Sequence, residues 1–328
     1  MKGMVYTQFG PPEVLKLLDV EKPIPMENQA LIRVKASSVN ISDYKRFIEQ
    51  IEGRKTPFST HLIDKILKVS GKILGADVSG IVEEVGKGVT SVKKGDEVFG
   101  VTVGLLGAWA EYAIVDESSV FLKPSNISFE VAASIPVTGI TALGAIRVAK
   151  IKENHQVLIY GASGGVGTFA LQLAKAQSAT VTAVCSTRNI EMAHSIGADF
   201  VIDYKRDDFT FCGKTFDAII AINGYNPIWV YKKLLNKGGT YVAIGGMKQG
   251  IMGALLGPIN SGGGKTMTTS IYNNAIKQPC LPYLKELTEK GKIIPFIDKV
   301  FSVHEIVHAI NYIAKNHAHG KVVINMDL

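Results

Sequence analysis

Gln156-Val157-Leu158-Ile159-Tyr160 runs directly into Gly161-Ala162-Ser163-Gly164-Gly165-Val166-Gly167, and this junction decides the fold. The short apolar run reads as a buried strand, the glycines as a tight turn, and residues 168–176 as a helix. In such a turn the backbone N–H groups can approach a pyrophosphate, whose charge then meets the positive end of the helix. The competing reading is a tight turn that holds nothing. A second strand at Thr180-Val181-Thr182-Ala183-Val184 completes a strand–helix–strand unit and favours the nucleotide reading.

The same alternation continues C-terminally. Residues 190–196 read as a helix, 200–203 as a strand, and 216–222 and 239–244 as strands with a helix between them. This order calls for a doubly wound parallel sheet. Upstream the pattern differs. Residues 30–35, 80–85, 95–100 and 110–115 are short strands separated by glycine turns, which suggests a compact antiparallel barrel. Residues 130–150 read as helical with a break near Pro136, 250–268 as a mobile loop, and 269–272 as a last strand of the sheet. The tail carries two helices, 281–290 and 302–315, and a final strand at 321–324. The expected domains are 1–124 with 275–328, and 125–274.

The chain has 328 residues with 20% charged and 46% hydrophobic side chains, enough for two cored domains without a disordered bias. Its net charge is +7, but the basic residues are scattered rather than clustered among aromatics, so no nucleic-acid groove is expected. Three cysteines, Cys185, Cys212 and Cys280, lack CxxC spacing, which fits a reducing compartment. The longest stretch without Lys, Arg, Asp or Glu, 154–174, is interrupted by four glycines, so no integral membrane segment is expected. A cytoplasmic homodimer is the expected state.

The end of the second strand bears on which dinucleotide is bound. An NAD site usually carries an acidic residue there for the ribose hydroxyls, whereas this chain has Cys185-Ser186-Thr187-Arg188-Asn189. A 2′-phosphate would find a hydroxyl and a guanidinium and no repelling acid, so NADPH is the expected cofactor. The competing reading leaves Arg188 as a solvated residue at a helix start.

At these residues the sequence resembles a known family. The glycine turn, Leu74-Gly75-Ala76-Asp77-Val78-Ser79-Gly80, Lys94-Gly95-Asp96-Glu97-Val98, the segment 135–143 and His319-Gly320-Lys321-Val322-Val323-Ile324 are similar to the medium-chain dehydrogenase/reductase superfamily over essentially the whole chain. The segment 39–46 further resembles its zinc-free quinone oxidoreductase and alkenal/enone reductase branch. The resemblance implies an α/β architecture, a GroES-like β-rich catalytic domain plus a Rossmann domain. It also implies cofactor contacts from Gly161, Ser163, Gly164, Gly165 and Val166 at the pyrophosphate, Ser186 and Arg188 at the 2′-phosphate, and Tyr204 at the adenosine end. Thr138, Gly245, His317, Ala318 and His319 are implied for the nicotinamide half.

Zinc alcohol dehydrogenases of that superfamily have ligands where this chain has Asn40, Ala76, Asp77 and Val137. Amide, methyl and isopropyl groups are poor zinc donors, and the four-cysteine structural lobe is missing, so no metal is expected. His304-Glu305-Ile306-Val307-His308 matches H-E-x-x-H in form, but no third ligand follows at the required spacing. Ser302 as the cap of an ordinary amphipathic helix is the plainer reading. Gly262-Gly263-Gly264-Lys265-Thr266 imitates a P-loop end without the preceding strand or first glycine.

Without a Lewis acid on a carbonyl, alcohol oxidation is disfavoured, and hydride addition to a conjugated acceptor is easier because charge spreads to a distant oxygen. The expected activity is zinc-independent reduction of a small-molecule electrophile, a quinone or an α,β-unsaturated carbonyl. Asn40 as amide donor, Ser42 as relay hydroxyl and Tyr44 as proton donor are the catalytic candidates. Each has a packing alternative, as helix cap or core residue. A regulatory or structural protein that keeps the cofactor site without turnover is the alternative from a different class. Segments 48–72 and 250–268 are expected to shape the acceptor pocket.

Overall fold

The structure is a computed structural model that describes residues 1–6, 10–45, 73–224, 226–245, 261–269, 279–316 and 318–328. Its strands in chain order are β1 (Lys2–Tyr6), β2 (Leu15–Asp19), β3 (Gln29–Val39), β4 (Asp77–Val85), β5 (Glu97–Thr102), β6 (Tyr112–Leu122), β7 (Gln156–Tyr160), β8 (Thr180–Cys185), β9 (Phe200–Asp203), β10 (Phe216–Ile222), β11 (Leu235–Ile244), β12 (Thr266–Thr269), β13 (Ile297–Ser302) and β14 (Lys321–Asn325). They fall into two compact units, Met1–Val137 with Ile297–Leu328, and Thr138–Phe296.

In the first unit β3, β4, β5 and β6 pair antiparallel in succession, and β6 returns to pair with β3. That last pairing closes the expected barrel. β14 extends β3 antiparallel, and β13 joins β14 in parallel, a pair absent from the sequence reading. The barrel fills with alternate side chains of its strands, among them Ile32, Val78 and Val98, around the wholly buried Trp109.

The second unit is one parallel sheet in the order β12-β11-β10-β7-β8-β9. Strands β7 to β9 build outward on one side, and β10 returns to the other side of β7. The carboxyl end of β7 is therefore the switch point at which such sheets bind ligands. The helix after the glycine turn spans Gly165–Ala176, three residues earlier than its apolar periodicity predicts.

Both domain boundaries differ from the expected ones. The helix Phe129–Ala133, capped by the Ser128 hydroxyl, packs Phe129 and Ala133 on Ala36 and Val323, so residues 125–137 stay with the barrel. At the other end, the Gln172 side chain donates to the Ile294 carbonyl (3.1 Å) and accepts from its N–H (2.7 Å). Gln177 also bonds the Tyr283 hydroxyl (3.1 Å), so 279–296 belong with the sheet rather than with the barrel. The expected loop is shortened, because 266–268 pair with β11, and of the strand expected at 269–272 only Thr269 is in β12. Residues 48–72, 250–260 and 270–272 lie outside the described residues. Among the described residues no helix is long and apolar enough to cross a membrane.

Candidate functional site

In the second unit, the N–H groups of Gly161 and Ala162 both donate to the Val184 carbonyl (3.1 and 3.2 Å), which draws the turn against β8. Two glycines of the turn have no room for a side chain. A Cβ on Gly161, whose φ is +78°, would lie 2.5 Å from the Ile222 carbonyl oxygen. One on Gly167 would lie 2.2 Å from the Gly161 oxygen and 2.6 Å from the Ala162 carbonyl carbon. Gly164 caps the helix without a side-chain hydrogen bond. The first N–H groups of a helix have no acceptor within it. Gly165 and Val166, at the start of the helix, are partly exposed, so their N–H groups form a backbone cradle that fits a pyrophosphate. Gly167→Ala forces a methyl group into backbone atoms, and overpacking of this kind costs about 1–3 kcal/mol or more. Weakened dinucleotide binding in a fluorescence titration and a lower Tm are expected; wild-type values for both would contradict the close packing.

At the end of β8, Ser186 opens a 3-10 turn, Thr187–Asn189, and its hydroxyl accepts from Asn189 Nδ2 (3.0 Å). Arg188 is exposed on that turn, and Tyr204 is exposed after β9, with its N–H on the Cys185 carbonyl (3.1 Å). One feature corrects the sequence reading. Asp203 pairs in register with Cys185, so an acid does stand beside this site. Its Oδ2 accepts from the Thr187 hydroxyl (2.5 Å) and faces Arg206 Nε (3.7 Å), and its Oδ1 accepts from the Lys205 N–H (3.0 Å). The Thr187 hydrogen bond holds this carboxyl below the usual range. Both oxygens of Asp203 thus accept hydrogen bonds from its own chain, and the residue is 5% exposed. Lys205 and Arg206 add two cations that the sequence reading lacks. Burial pushes the neighbouring Cys185 thiol up to about 11, which makes it a packing residue and not a nucleophile.

Thr138 is buried near the start of the helix Pro136–Ala149. Gly245 follows β11 beside Asn223, whose N–H donates to the Ile244 carbonyl (3.0 Å) and whose side chain is in contact range of Gly245. Asn223 was legible only as an asparagine after a strand.

In the first unit, Asn40 is the cap position of a helical turn at 41–45, with its N–H on Asp43 Oδ2 (2.8 Å). Its side chain does not cap. Asn40 Nδ2 donates to Asp77 Oδ2 (2.8 Å), and Asn40 Oδ1 accepts from Lys321 Nζ (2.8 Å). Lys321 Nζ also reaches Asp77 Oδ2 (3.4 Å), the Ser38 hydroxyl donates to the same oxygen, and Asp77 Oδ1 takes the Val137 N–H (2.7 Å). The side chains of Lys321 and Asp77 are 3% and 0% exposed. The sequence reading holds Asp77 and Lys321 only as family markers and does not join them. Ser42 is exposed, and Tyr44 is half-buried with its ring against the barrel core. On the returning tail, Asp298 Oδ2 accepts from the Tyr312 hydroxyl (2.9 Å) and the His319 N–H (3.0 Å), which sets the position of the Ala318–His319 turn. His317 lies outside the described residues.

The two decoy motifs have structural explanations. Ser302 and Glu305 form a capping box, Val303, Ile306, Ala309 and Ile310 face the core, and His304 and His308 are exposed. Gly262 to Gly264 all adopt positive φ in a turn closed by a Gly262–Lys265 bridge, and Lys265 Nζ donates to the Lys232 carbonyl (3.0 Å). Among the described residues no group of three or more His, Cys, Asp or Glu is placed to hold a metal ion.

A closed β-barrel and a six-stranded parallel sheet with a donor-lined glycine turn define a two-unit, dinucleotide-dependent oxidoreductase architecture. Residues 26–125 match the alcohol dehydrogenase GroES-like domain, and residues 196–324 match the zinc-binding dehydrogenase family. The chain is 33% identical to a 2-methylene-furan-3-one reductase of Solanum lycopersicum, over 99% of this chain and 79% of that protein. It is 32% identical to a chloroplastic NADPH-dependent alkenal/one oxidoreductase of Arabidopsis thaliana, with the same coverage. The solved quinone oxidoreductase of Coxiella burnetii superposes with a TM-score of 0.85, at 31% identity and covering 99% of each chain. The chain belongs to the medium-chain dehydrogenase/reductase superfamily, in its quinone oxidoreductase and alkenal/enone reductase branch. It is an oxidoreductase of a family that uses a nicotinamide cofactor.

The zinc in that family description does not fit this donor set. At the corresponding positions stand Ala76 and Val137, which have no donor atom in the side chain, Asn40, whose carbonyl oxygen is taken by an ammonium group, and Asp77, whose carboxylate is held by Asn40, Ser38, Lys321 and the Val137 N–H. A dication there would also meet the buried charge of Lys321.

Proposed function

We propose that the chain is an NADPH-dependent, zinc-independent reductase of quinones or α,β-unsaturated carbonyls. The observation that carries this reading is the Asn40–Asp77–Lys321 network, in which the residues at two zinc-branch ligand positions, Asn40 and Asp77, are both engaged by a buried ammonium group. Such a site has hydrogen-bond donors for an oxygen that gains charge but nothing that coordinates an alkoxide. Bound NADPH supplies the hydride. The residues of the chain do the rest: the 161–167 turn binds the pyrophosphate, and Ser186 and Arg188 take the 2′-phosphate with Tyr204 at the adenosine end. By the resemblance, Thr138 and Gly245 are the second unit's contacts to the nicotinamide half. Tyr44 gives a proton to the reduced acceptor, with Ser42 beside it as relay.

A screen of NADPH oxidation against quinones, alkenals and enones tests the reading. Steady turnover with one of these classes is expected, and NADPH binding without turnover on any of them would favour the regulatory alternative. Cofactor choice has its own test. A phosphate–arginine contact is worth about 1.5–3 kcal/mol, so Arg188→Ala should weaken NADPH binding by roughly 10–150-fold and leave NADH nearly unchanged. Equal wild-type affinity for the two nucleotides would contradict this assignment.

A further inference from the structure

The two ends of an asparagine amide have nearly the same shape and differ in hydrogen-bonding sense, the oxygen accepting and the nitrogen donating twice. Amide orientation is therefore set by partners. At Asn40 the partners permit one sense. An ammonium group only donates, and Lys321 Nζ lies 2.8 Å from Oδ1. A carboxylate only accepts, and Asp77 Oδ2 lies 2.8 Å from Nδ2. Turning the amide over would set N–H against ammonium and C=O against carboxylate, in a site where the charged side chains are 3% and 0% exposed. Asp77 is itself held, by the Val137 N–H on one oxygen and the Ser38 hydroxyl on the other.

We propose that Asp77 and Lys321 are positioning residues that fix the sense of the Asn40 amide, so that its second N–H is the group left for the oxygen of the acceptor. This deepens the reductase reading and rests on it. The arrangement suits acceptors that build negative charge on an oxygen as they are reduced, such as those that give an enolate or a hydroquinone anion, because an outward carbonyl would repel such charge and an outward N–H stabilises it. The ion pair takes the place of a metal ion in that role: it does not touch the acceptor, and it sets the polarity of the residue that does.

The test uses the full chain. The double variant Asp77→Asn/Lys321→Met leaves no unpaired charge, and the new amide at position 77 turns its own N–H toward Asn40, which favours the inverted sense. Removal of a preorganised donor to a developing oxyanion lowers kcat by about 10²–10³-fold, and a loss of this size with an enone is expected, with the NADPH Kd unchanged. Lys321→Arg, which keeps a cationic donor, should recover part of that loss. The second readout does not need turnover: the side-chain ¹⁵N–¹H signals of Asn40, in protein labelled on asparagine, should shift in the double variant and hardly move in Lys321→Arg. A folded double variant with wild-type kcat, or with unmoved Asn40 signals, would overturn the proposal. If the wild type reduces no quinone or enone, the reductase reading fails by itself. Shifted Asn40 signals then still support control of the amide by the pair, and unmoved ones still overturn it.

Discussion

Lys321→Met should lower the stability of the first unit by about 3–5 kcal/mol, the usual result of leaving one member of a buried ion pair without its partner. At roughly 2–4 °C per kcal/mol for a unit of this size, Tm falls by about 6–20 °C. The size of the effect follows from where the pair sits. Asp77 is 0% exposed at the start of β4, and the ammonium of Lys321 is the one full positive charge among the partners it has in the structure, the others being Ser38, Asn40 and the Val137 N–H. Neutralising both members should restore most of the loss, since uncharged replacements of similar volume are often neutral at buried pairs. Calorimetry on the single and double variants checks this. A single variant as stable as the wild type would show that Asp77 carries no buried charge that needs Lys321.

Tyr44→Phe should lower kcat by about 10²–10⁴-fold, the contribution of a positioned acid, and leave Tm nearly unchanged. Both halves of that expectation come from its setting. The ring packs against the barrel core, and phenylalanine keeps that packing, so a loss of rate reports on the hydroxyl. A change of only a few-fold in steady-state kinetics would transfer the proton to water or to Ser42, which is exposed two residues earlier on the same helical turn.

Local chemistry was readable from the chain, and contacts made across it were not. The 156–167 junction was legible because its glycines do backbone work that no other residue type can do, and their crowding against Ile222 and Ala162 shows it. At H-E-x-x-H the cap expected at Ser302 is present, and Glu305 completes it as a capping box. The domain boundaries were missed because the allegiance of a short helix depends on what it packs against: Ala133 meets Ala36 and Val323, and Gln172 meets Ile294 at a separation of 122 residues. Asp203 was missed for the same reason. Parallel pairing of β8 and β9 brings it to Thr187, so an acid can stand beside the end of β8 without following it directly in sequence. The Asp77–Lys321 pair spans 244 residues, and no periodicity predicts it. Its trace in the sequence is a charge at the head of each of two strands, before Val78-Ser79-Gly80-Ile81-Val82 and before Val322-Val323-Ile324, which is unusual for positions that the flanking residues mark as buried.

The most direct test of the account follows the hydride itself. An enone incubated with NADPH deuterated at the transferable position of the nicotinamide should yield the saturated ketone with a single deuterium at the β-carbon, while the α-carbon takes its hydrogen from water. Deuterium on the carbonyl carbon of an alcohol product would contradict conjugate reduction and return the chain to carbonyl reduction.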